Sequence, residues 1–231
     1  MSDLSLDEIK KILSLSKEFL HQQQELFSSD LPFFNETDAV QSDETRLKEE
    51  QLSAFYNEIK GCMKCSLGST RKNFVFGDGN PNAKLMVIGE APGADEDDTG
   101  HPFVGRAGQL LTSILKAVNF SRKEVFICNI LKCRPPQNRK PNPEEVTECS
   151  PYLHRQIDII QPKIILALGT TAANTLLGNQ DTLTDMRGKV HTYRGVPMIV
   201  TFHPAALLRN PNWKIHTWQD IQTVRKMYDE M

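Results

Sequence analysis

The chain has 231 residues, of which 39% are hydrophobic, and a net charge of −2. This length predicts one substantial core plus an extension, and no apolar run is long enough to cross a bilayer. The amino-terminal residues lack the basic-then-apolar pattern of a signal peptide. We therefore expect a cytoplasmic protein without membrane contact, whose five cysteines are metal ligands or core thiols and not disulfides.

The net charge hides an asymmetry between two parts of the chain. Residues 1–60 carry a net −7 and residues 61–231 a net +5. Clusters of basic side chains suit a surface that binds backbone phosphates, because affinity there comes from displaced counterions. An ordinary solvated surface is the alternative, and charge alone favours that alternative. The clustered cations are Lys132, Arg134, Arg139, Lys140, Arg187, Lys189, Arg194 and Arg209.

The first part of the chain contains two predicted helices joined by a linker. The capping box Ser5–Glu8, followed by apolar residues at helical spacing, predicts a helix over residues 5–27. Residues 29–44 are polar and acidic without periodicity, which predicts a linker. A second helix is predicted over residues 45–60.

From residue 84 onward, short apolar runs alternate with helical patterns. The predicted strands are 85–88, 125–130, 164–168 and 196–202. The predicted helices are 107–118, 142–161, 170–177 and 213–230. This alternation predicts an α/β three-layer sandwich with a mostly parallel four-stranded sheet and helices on both faces. We assign it to residues 46–231, preceded by an acidic helical extension over residues 1–45.

Polar side chains of three kinds stand where predicted strands end. Glu90 follows the first strand, Asn129 ends the second and His203 follows the fourth. Ligands bind beyond the carboxyl ends of parallel strands, so these side chains are predicted to share a pocket. The turn Gly89–Gly93 has no Lys, Ser or Thr to hold a phosphate and is not a P-loop.

Each candidate side chain also has a structural interpretation. A buried amide at Asn129 costs about 1–3 kcal/mol unless paired, so it either bonds a neighbouring loop or reads the edge of a base. His203 could stabilise a developing anion or cap a helix. Leu207 or Leu208 could act as a wedge between bases or belong to the core. For Phe103, core packing is favoured by spacing alone.

Four cysteines form the most informative motif. Cys62 and Cys65 make a CxxC pair, and Cys133 and Cys149 follow far downstream. This set fits either a tetrahedral Zn²⁺ site or a [4Fe–4S] cluster, and spacing does not separate the two. Cys128 lies within an apolar strand and is predicted to be a core thiol.

Taken together, these residues resemble the family 4 uracil-DNA glycosylases, the iron–sulfur branch of the uracil-DNA glycosylase superfamily. The order of the four cysteines supports the resemblance. So do four segments, Gly89–Asp97, Thr99–Leu111, Asn129–Pro136 and His203–Pro211. The resemblance implies a monofunctional enzyme that flips uracil out of DNA and hydrolyses its N-glycosidic bond, leaving an abasic site for base excision repair.

The resemblance also implies roles for individual side chains. Phe103 would stack on the flipped uracil, Asn129 would bond its Watson–Crick edge, and His203 would face O2 of the leaving base. Leu207 would fill the gap left in the duplex. Arg209, in the same segment, would contact the substrate.

The position after Glu90 raises the question of how water is held. In the wider superfamily this position often holds an aspartate that positions the water, whereas this chain has Ala91. Ala91 cannot perform that role, and the resemblance implies only that it contacts the substrate. Glu90, Glu96 or backbone carbonyls are the candidates for orienting the water. A related branch traps the abasic sugar through a histidine after the third cysteine, but residues 134–148 contain no histidine.

By the same resemblance, the cysteines hold a structural [4Fe–4S] cluster, with zinc as the alternative occupant, and pin the Arg134–Arg139 loop beside DNA. The expected partner is uracil-containing DNA, single- or double-stranded, bound by a monomer that needs neither Mg²⁺ nor nucleotide. Residues 1–45 have no counterpart in the resemblance and are candidates for binding a repair or replication protein. Two alternatives stay open: a sibling acting on bases such as hypoxanthine, and a nucleic-acid-binding module without catalysis.

Overall fold

The structure, a computed structural model, describes the backbone of residues 36–231 and the side chains of residues 43–231. The helix predicted over residues 5–27 lies outside the described residues. The division of the chain after residue 45 stays a prediction. No helix in the described part is long and apolar enough to span a membrane.

The first described helix, α1, comprises Glu36–Ile59. It begins within residues 29–44, so the predicted linker is wrong from Glu36 onward. The stretch from residue 36 to residue 44 contains no Gly or Pro, and its Glu, Ala and Gln are good helix formers. An acidic composition alone therefore did not identify a linker.

The other helices connect the strands and cover the sheet. They are α2 (Leu67–Thr70), α3 (Ala94–Thr99), α4 (Arg106–Ala117), α5 (Pro143–Ile160), α6 (Thr170–Leu177), α7 (Leu183–Met186), α8 (Pro204–Arg209) and α9 (Lys214–Asp229). Two 3₁₀ turns lie at Pro136–Asn138 and Pro211–Trp213. The predicted helices are confirmed as α4, α5, α6 and α9, whereas the short ones are too brief to show a helical period.

The strands form a single six-stranded sheet within the described residues, in the order β1-β3-β2-β4-β6-β5. They are β1 (Asp78–Gly79), β2 (Leu85–Gly89), β3 (Phe126–Asn129), β4 (Ile164–Leu168), β5 (Val190–Tyr193) and β6 (Val196–Thr201). The central strands β3, β2, β4 and β6 are parallel and match the predicted strands. The mostly parallel sheet is confirmed, but the predicted total of four strands is wrong.

The two missed strands are antiparallel edges. β1 has only two residues, too few for any sequence pattern. β5 alternates exposed and partly buried positions without an apolar run. Arg194 and Gly195 join β5 to β6, and both have positive φ angles, which is the geometry of a tight hairpin turn.

Helices cover both faces of the sheet. Along β2, Met86 and Ile88 belong to one buried cluster, with side chains of α1, α5 and α6. Leu85 and Val87 belong to a second cluster, with side chains of α4 and α9. Successive strand residues point to opposite faces, so a continuous apolar strand requires cover on both sides. The predicted three-layer α/β sandwich is confirmed.

Candidate active site

A cavity of about 380 Å³ opens where β2, β3 and β6 end. This volume lies in the range of sites that bind small organic groups. The cavity wall includes the three strand-end residues Glu90, Asn129 and His203, which the sequence predicted to share a pocket. Four other candidate residues also line it, namely Ala91, Glu96, Phe103 and Arg209.

Asn129 contributes an unsatisfied amide oxygen to this cavity. The side chain ends β3 and is 2% exposed. Its Oδ1 is buried and has no hydrogen-bond partner among the described residues. A buried acceptor without a donor costs about 1–3 kcal/mol. The oxygen therefore does not bond a neighbouring loop, and the Asn129 amide lines the cavity without a protein partner for this atom.

Gly89 is required where β2 ends beside this amide. A Cβ at Gly89 would collide with Asn129 Oδ1 and with the ring of Phe103. The absence of a side chain lets the amide and the ring approach each other across the floor of the cavity. In the sequence this glycine is recognisable only as part of a turn, because the close approach arises from two other segments.

Phe103 is both a core residue and part of the cavity wall. The side chain is 6% exposed and its backbone has a φ angle of +53°. Arg122 holds the loop, donating from Nη1 to the Phe103 carbonyl over 3.1 Å and from Nη2 to the Pro102 carbonyl over 2.9 Å. A Cβ at Gly108 would collide with the Phe103 carbonyl. Nothing in the local sequence pointed to Arg122 as the anchor of this loop.

His203 faces Phe103 with a ring-centroid separation of 5.7 Å. It caps α8, because its Nδ1 accepts from the Ala205 N–H over 3.2 Å. Burial, and next the positive charge of Arg209, lower the pKa of His203 to about 4. The imidazole is therefore neutral at physiological pH, and with Nδ1 accepting, its proton lies on Nε2. The capping role and a hydrogen-bond donor role thus coexist in one ring.

The two candidate glutamates differ in their hydrogen bonding. The Glu96 carboxylate accepts from the backbone N–H groups of Gly93, Val104 and Gly105 over 3.0, 2.9 and 3.1 Å. It therefore ties the turn after β2 to the loop that carries Phe103. Across the described part of the chain, the Glu90 carboxylate has neither a hydrogen bond nor a salt bridge. Glu90 is the carboxylate that is free to act on a bound molecule.

Leu207 does not reach the surface. It is fully buried and lines an apolar groove with Leu110 and Ile221, of α4 and α9. This corrects the expectation that Leu207 is free to enter a duplex, because α8 packs this side chain inward. Its neighbour Leu208 is 40% exposed. Of the two leucines considered, Leu208 is the one that faces solvent.

The comparisons with known proteins agree with this geometry. The family model described as "Uracil DNA glycosylase superfamily" matches residues 76–222, which include all three strand ends at the cavity. The chain belongs to this superfamily. The family resemblance inferred from the motifs is thereby confirmed.

Individual relatives place the chain nearer to one branch of the uracil DNA glycosylase superfamily. It is 45% identical to a type-4 uracil-DNA glycosylase of Sulfurisphaera tokodaii, over 77% of this chain and 85% of that protein. It is 47% identical to the type-4 enzyme of Pyrobaculum aerophilum, over 69% and 86%. Identity to the type-5 enzyme of the same organism is 33%, over 56% and 64%.

The predicted basic surface is wrong at Lys132. Its side chain is fully buried and cannot contact a phosphate. Arg187 is also not available to bind a phosphate, because it forms a salt bridge of 2.7 Å with the buried Asp220. A local run of basic residues does not reveal which of them a neighbouring helix covers. Of the other predicted cations, Arg139 and Arg209 line the cavity, and Arg134 and Lys140 lie on the loop that carries Arg139.

The loop after β3 brings the basic residues to the cavity. Pro135, Asn138 and Arg139 line it, which the sequence did not predict in detail. Arg139 donates two hydrogen bonds, of 2.9 and 2.6 Å, to the carboxylate of Glu145 in the first turn of α5. These bonds fasten the loop to the amino-terminal end of α5. The loop still forms part of the cavity wall.

The four motif cysteines meet in a separate small cavity. Its wall contains Cys62, Cys65, Cys133 and Cys149, contributed by three distant segments of the chain. Cys128 is not part of it and is a buried core thiol, as predicted. Burial raises the pKa of the Cys133 thiol to about 12 and that of Cys149 to about 11. Without a bound cation, both thiols stay protonated at neutral pH.

The surroundings of these sulfurs fit an anionic metal–thiolate group. Cys62 Sγ accepts from the Tyr152 hydroxyl over 3.1 Å, and Cys149 Sγ accepts from the Lys132 N–H over 3.3 Å. The Lys132 ammonium is buried and forms no salt bridge with a described carboxylate. A buried cation requires compensating charge, which thiolates would supply. Across residues 43–231, no group of three or more His, Cys, Asp or Glu side chains is already arranged to hold a single metal ion.

Proposed function

We propose that this protein is a uracil-DNA glycosylase that flips uracil out of DNA and hydrolyses its N-glycosidic bond, leaving an abasic site for base excision repair. One observation supports the assignment most strongly. It is the unpaired side-chain amide of Asn129 at a base-sized cavity that is also lined by the Phe103 ring and the neutral imidazole of His203. The similarity to proteins named type-4 uracil-DNA glycosylases supports the same reaction.

The Asn129 amide complements uracil in particular. Its Oδ1 would accept from N3–H of the base, and its Nδ2 would donate to O4. Cytosine presents an acceptor at N3 and an amino group at position 4, so both contacts would oppose it as long as the amide is held in this orientation. A two-point contact of this kind discriminates between bases by about 1–3 kcal/mol. The Phe103 ring would stack on the extruded base, which replaces part of the stacking lost from the duplex.

The chemistry requires stabilisation of two opposite charges. As the bond from C1′ to N1 breaks, electrons move to the uracil ring, and the sugar becomes an oxocarbenium ion. The Nε2–H of His203 would donate to O2 of the departing anion, and a neutral imidazole does so without losing its proton. Glu90 would orient the attacking water and accept its proton as the hydroxyl group adds to C1′. Glu96 would keep the two cavity loops together.

The rim of the cavity would hold the DNA. Arg134, Lys140 and Arg209 would contact phosphates, and their affinity should fall with added salt. Leu208 would enter the gap that the uracil leaves, in place of Leu207. Both single- and double-stranded DNA are proposed substrates. The Leu208 wedge matters only in double-stranded DNA, because only there does the uracil leave a gap opposite a partner strand.

A [4Fe–4S] cluster is the proposed occupant of the cysteine cavity, held by Cys62, Cys65, Cys133 and Cys149. Zinc is the alternative. In a cluster each thiolate binds a different iron, whereas around Zn²⁺ all four sulfurs lie at about 2.3 Å from one ion. The arrangement of the sulfurs does not decide between the two, and the cluster is proposed from the family resemblance that the motifs carry. Its contribution is structural, since it would join the loop after β3 to α5.

The enzyme is proposed to act as a monomer in the cytoplasm. No disulfide joins any of the five cysteines, all of which lie in the described part of the chain, and this suits a reducing compartment. Binding of a repair or replication protein by residues 1–45 stays a prediction.

The test is a single-turnover assay on an oligonucleotide carrying one uracil, with alkali to reveal abasic sites. Wild-type protein should give strand cleavage only after alkali. Asn129→Asp should be slower by at least about tenfold, because a carboxylate opposes O4. Asn57→Asp, the same change at an exposed position of α1, should be as active as the wild type.

Two outcomes would contradict the proposal. Cleavage of hypoxanthine oligonucleotides in preference to uracil would reassign the substrate. Absence of any abasic product from metal-loaded wild-type protein would leave a nucleic-acid-binding role without catalysis.

A further inference from the structure

Lys132 is a lysine with no exposed surface. Its relative exposure is 0%, and lysine is almost never fully buried unless its charge is paired. Its Nζ donates to the Asn129 carbonyl and to Gln156 Oε1, each over 2.7 Å. No described carboxylate forms a salt bridge with it. The two direct partners of this ammonium are therefore neutral oxygens, one of which belongs to the residue at the cavity.

The segment around Lys132 is held on three sides. The Ile130 and Leu131 N–H groups donate to the carbonyls of Gly89 and Glu90 over 3.0 and 3.1 Å, which extends the β2–β3 pairing past the strand ends. The Lys132 N–H donates to Cys149 Sγ. A single residue thus contacts the cavity floor through its ammonium and the cysteine cavity through its backbone.

Gln156 completes the arrangement from α5. While its Oε1 accepts from Lys132, its Nε2 donates to the Phe76 carbonyl over 2.9 Å. The amide is thereby oriented, and the position of the ammonium follows from it. The ammonium is directed to the backbone carbonyl of Asn129. The side-chain oxygen of the same residue has no partner.

We propose that Lys132 is a positioning residue for Asn129. Its ammonium fixes the backbone of Asn129 from behind, so that the side-chain amide faces the cavity with its oxygen unpaired. Without this tether, Asn129 can turn and satisfy Oδ1 with a local donor, and the base-reading geometry is lost. The inference rests on the proposed function, in which Asn129 bonds the uracil edge.

The test is a double-mutant cycle measured by single-turnover uracil excision. Lys132→Met retains the apolar stem and removes the ammonium, and an apolar replacement of a buried charge is often tolerated. We expect Lys132→Met to lower the rate at subsaturating DNA by about tenfold in the wild-type background. In the Asn129→Ala background it should cause no further loss, because Lys132 acts through that side chain.

Two controls separate positioning from general damage. Lys163→Met, at an exposed position beside β4, should leave the rate unchanged. Rates are compared per metal-loaded protein, because removing the ammonium near the thiolates can lower metal content although the Lys132 N–H still bonds Cys149 Sγ. If Lys132→Met does not fold, Gln156→Leu, which removes the acceptor that orients the ammonium, takes its place in the cycle. Losses that multiply in the double mutant would overturn the proposal.

Hydrogen exchange provides a second readout that is independent of activity. The Ile130 and Leu131 amides should exchange at least about tenfold faster in Lys132→Met, since opening is easier once the tether is gone. Amides of β4 should be unaffected. Unchanged exchange at Ile130 and Leu131 would overturn the tether. If the wild type excised no uracil, the proposed function would fail, and this measurement would still decide the role of Lys132 in fixing the strand end.

Discussion

Arg122 donates to the carbonyl of Phe103 over 3.1 Å and fixes a residue whose φ angle is +53°. A non-glycine residue in this left-handed region costs about 1–2 kcal/mol. The second bond, to the Pro102 carbonyl, clamps two successive peptide units. The ring of Phe103 can therefore be a preorganised wall of the cavity although it is carried by a loop.

Removing this clamp should reduce base binding more than chemistry. We expect Arg122→Met to raise KM about tenfold with a smaller change in kcat, because the Phe103 ring loses its fixed position. Steady-state kinetics on uracil-containing single strands measure the split. Arg106→Met, at an exposed position of α4, is the control. An unchanged KM in folded Arg122→Met would show that Phe103 does not depend on the clamp.

Glu90 and Glu96 should respond differently to amidation. Glu90→Gln should slow the chemical step about 100-fold with little change in Tm, because it removes a free carboxylate from the reaction. Glu96→Gln should lower Tm, because three backbone N–H groups lose a charged acceptor, and such bonds contribute about 1.5–3 kcal/mol each. Single-turnover rates and thermal melts separate the two. A slow but thermally normal Glu96→Gln beside a fully active Glu90→Gln would reverse the assignment.

The pKa of His203 predicts the pH dependence of the reaction. Burial lowers this pKa to about 4, so the imidazole stays neutral well below pH 6.5. In the unfolded chain, His203 binds a proton at about pH 6.5. The contribution of the buried neutral imidazole to the free energy of unfolding is therefore complete above pH 6.5 and is lost as the pH falls from 6.5 to 4. The single-turnover rate should show no inflection near pH 6.5, and an NMR titration of His203 should give a low midpoint. An inflection that vanishes in His203→Ala would contradict the neutral imidazole.

The two adjacent leucines of α8 provide a matched pair. Leu208→Ala should slow excision from double-stranded DNA, leave single-stranded excision nearly unchanged and preserve Tm, because an exposed side chain is removed. Leu207→Ala should lower stability by about 2–5 kcal/mol, the usual cost of truncating a buried leucine. Denaturant melts and rates on both substrates distinguish them. Loss of duplex activity in Leu207→Ala without loss of stability would restore Leu207 as the wedge.

Cys149 provides a test of the metal site that does not depend on activity. Cys149→Ser should lose bound metal and lower Tm, because the loop after β3 is no longer joined to α5. Wild-type protein purified without oxygen should be brown, absorb near 400 nm and contain iron. Cys128→Ser, in the core outside the cysteine cavity, should retain the metal. A colourless protein with one zinc per chain would identify zinc as the occupant.

Sequence patterns predicted the elements whose local sequence reflects their burial in the folded protein. Each central strand is a short apolar run because both of its faces are buried, and α5 begins directly after Asn142, at the predicted helix start. The edge strands had no such signature, since β1 has two residues and β5 is mostly polar. The linker prediction failed for a different reason, because an acidic composition does not exclude a helix.

Within the site, residue type and strand position identified which side chains would meet. Glu90, Asn129 and His203 were predictable from the strand ends. The sequence did not separate Glu90 from Glu96, because the difference lies in N–H groups supplied by another loop. It also assigned Lys132 to the surface, because a lysine among arginines has the appearance of a phosphate-binding patch.

The sequence by itself determined the alternation of the four central strands with the long helices, the family and the residues gathered at the strand ends, because apolar periodicity and short motifs are local properties. Only the tertiary structure decided which polar groups are paired. It bonded Glu96 and left Glu90 free, turned Leu207 inward and Leu208 outward, and placed Lys132 behind Asn129. The reason is physical: pairing and burial depend on partners from distant segments, and no local pattern specifies them.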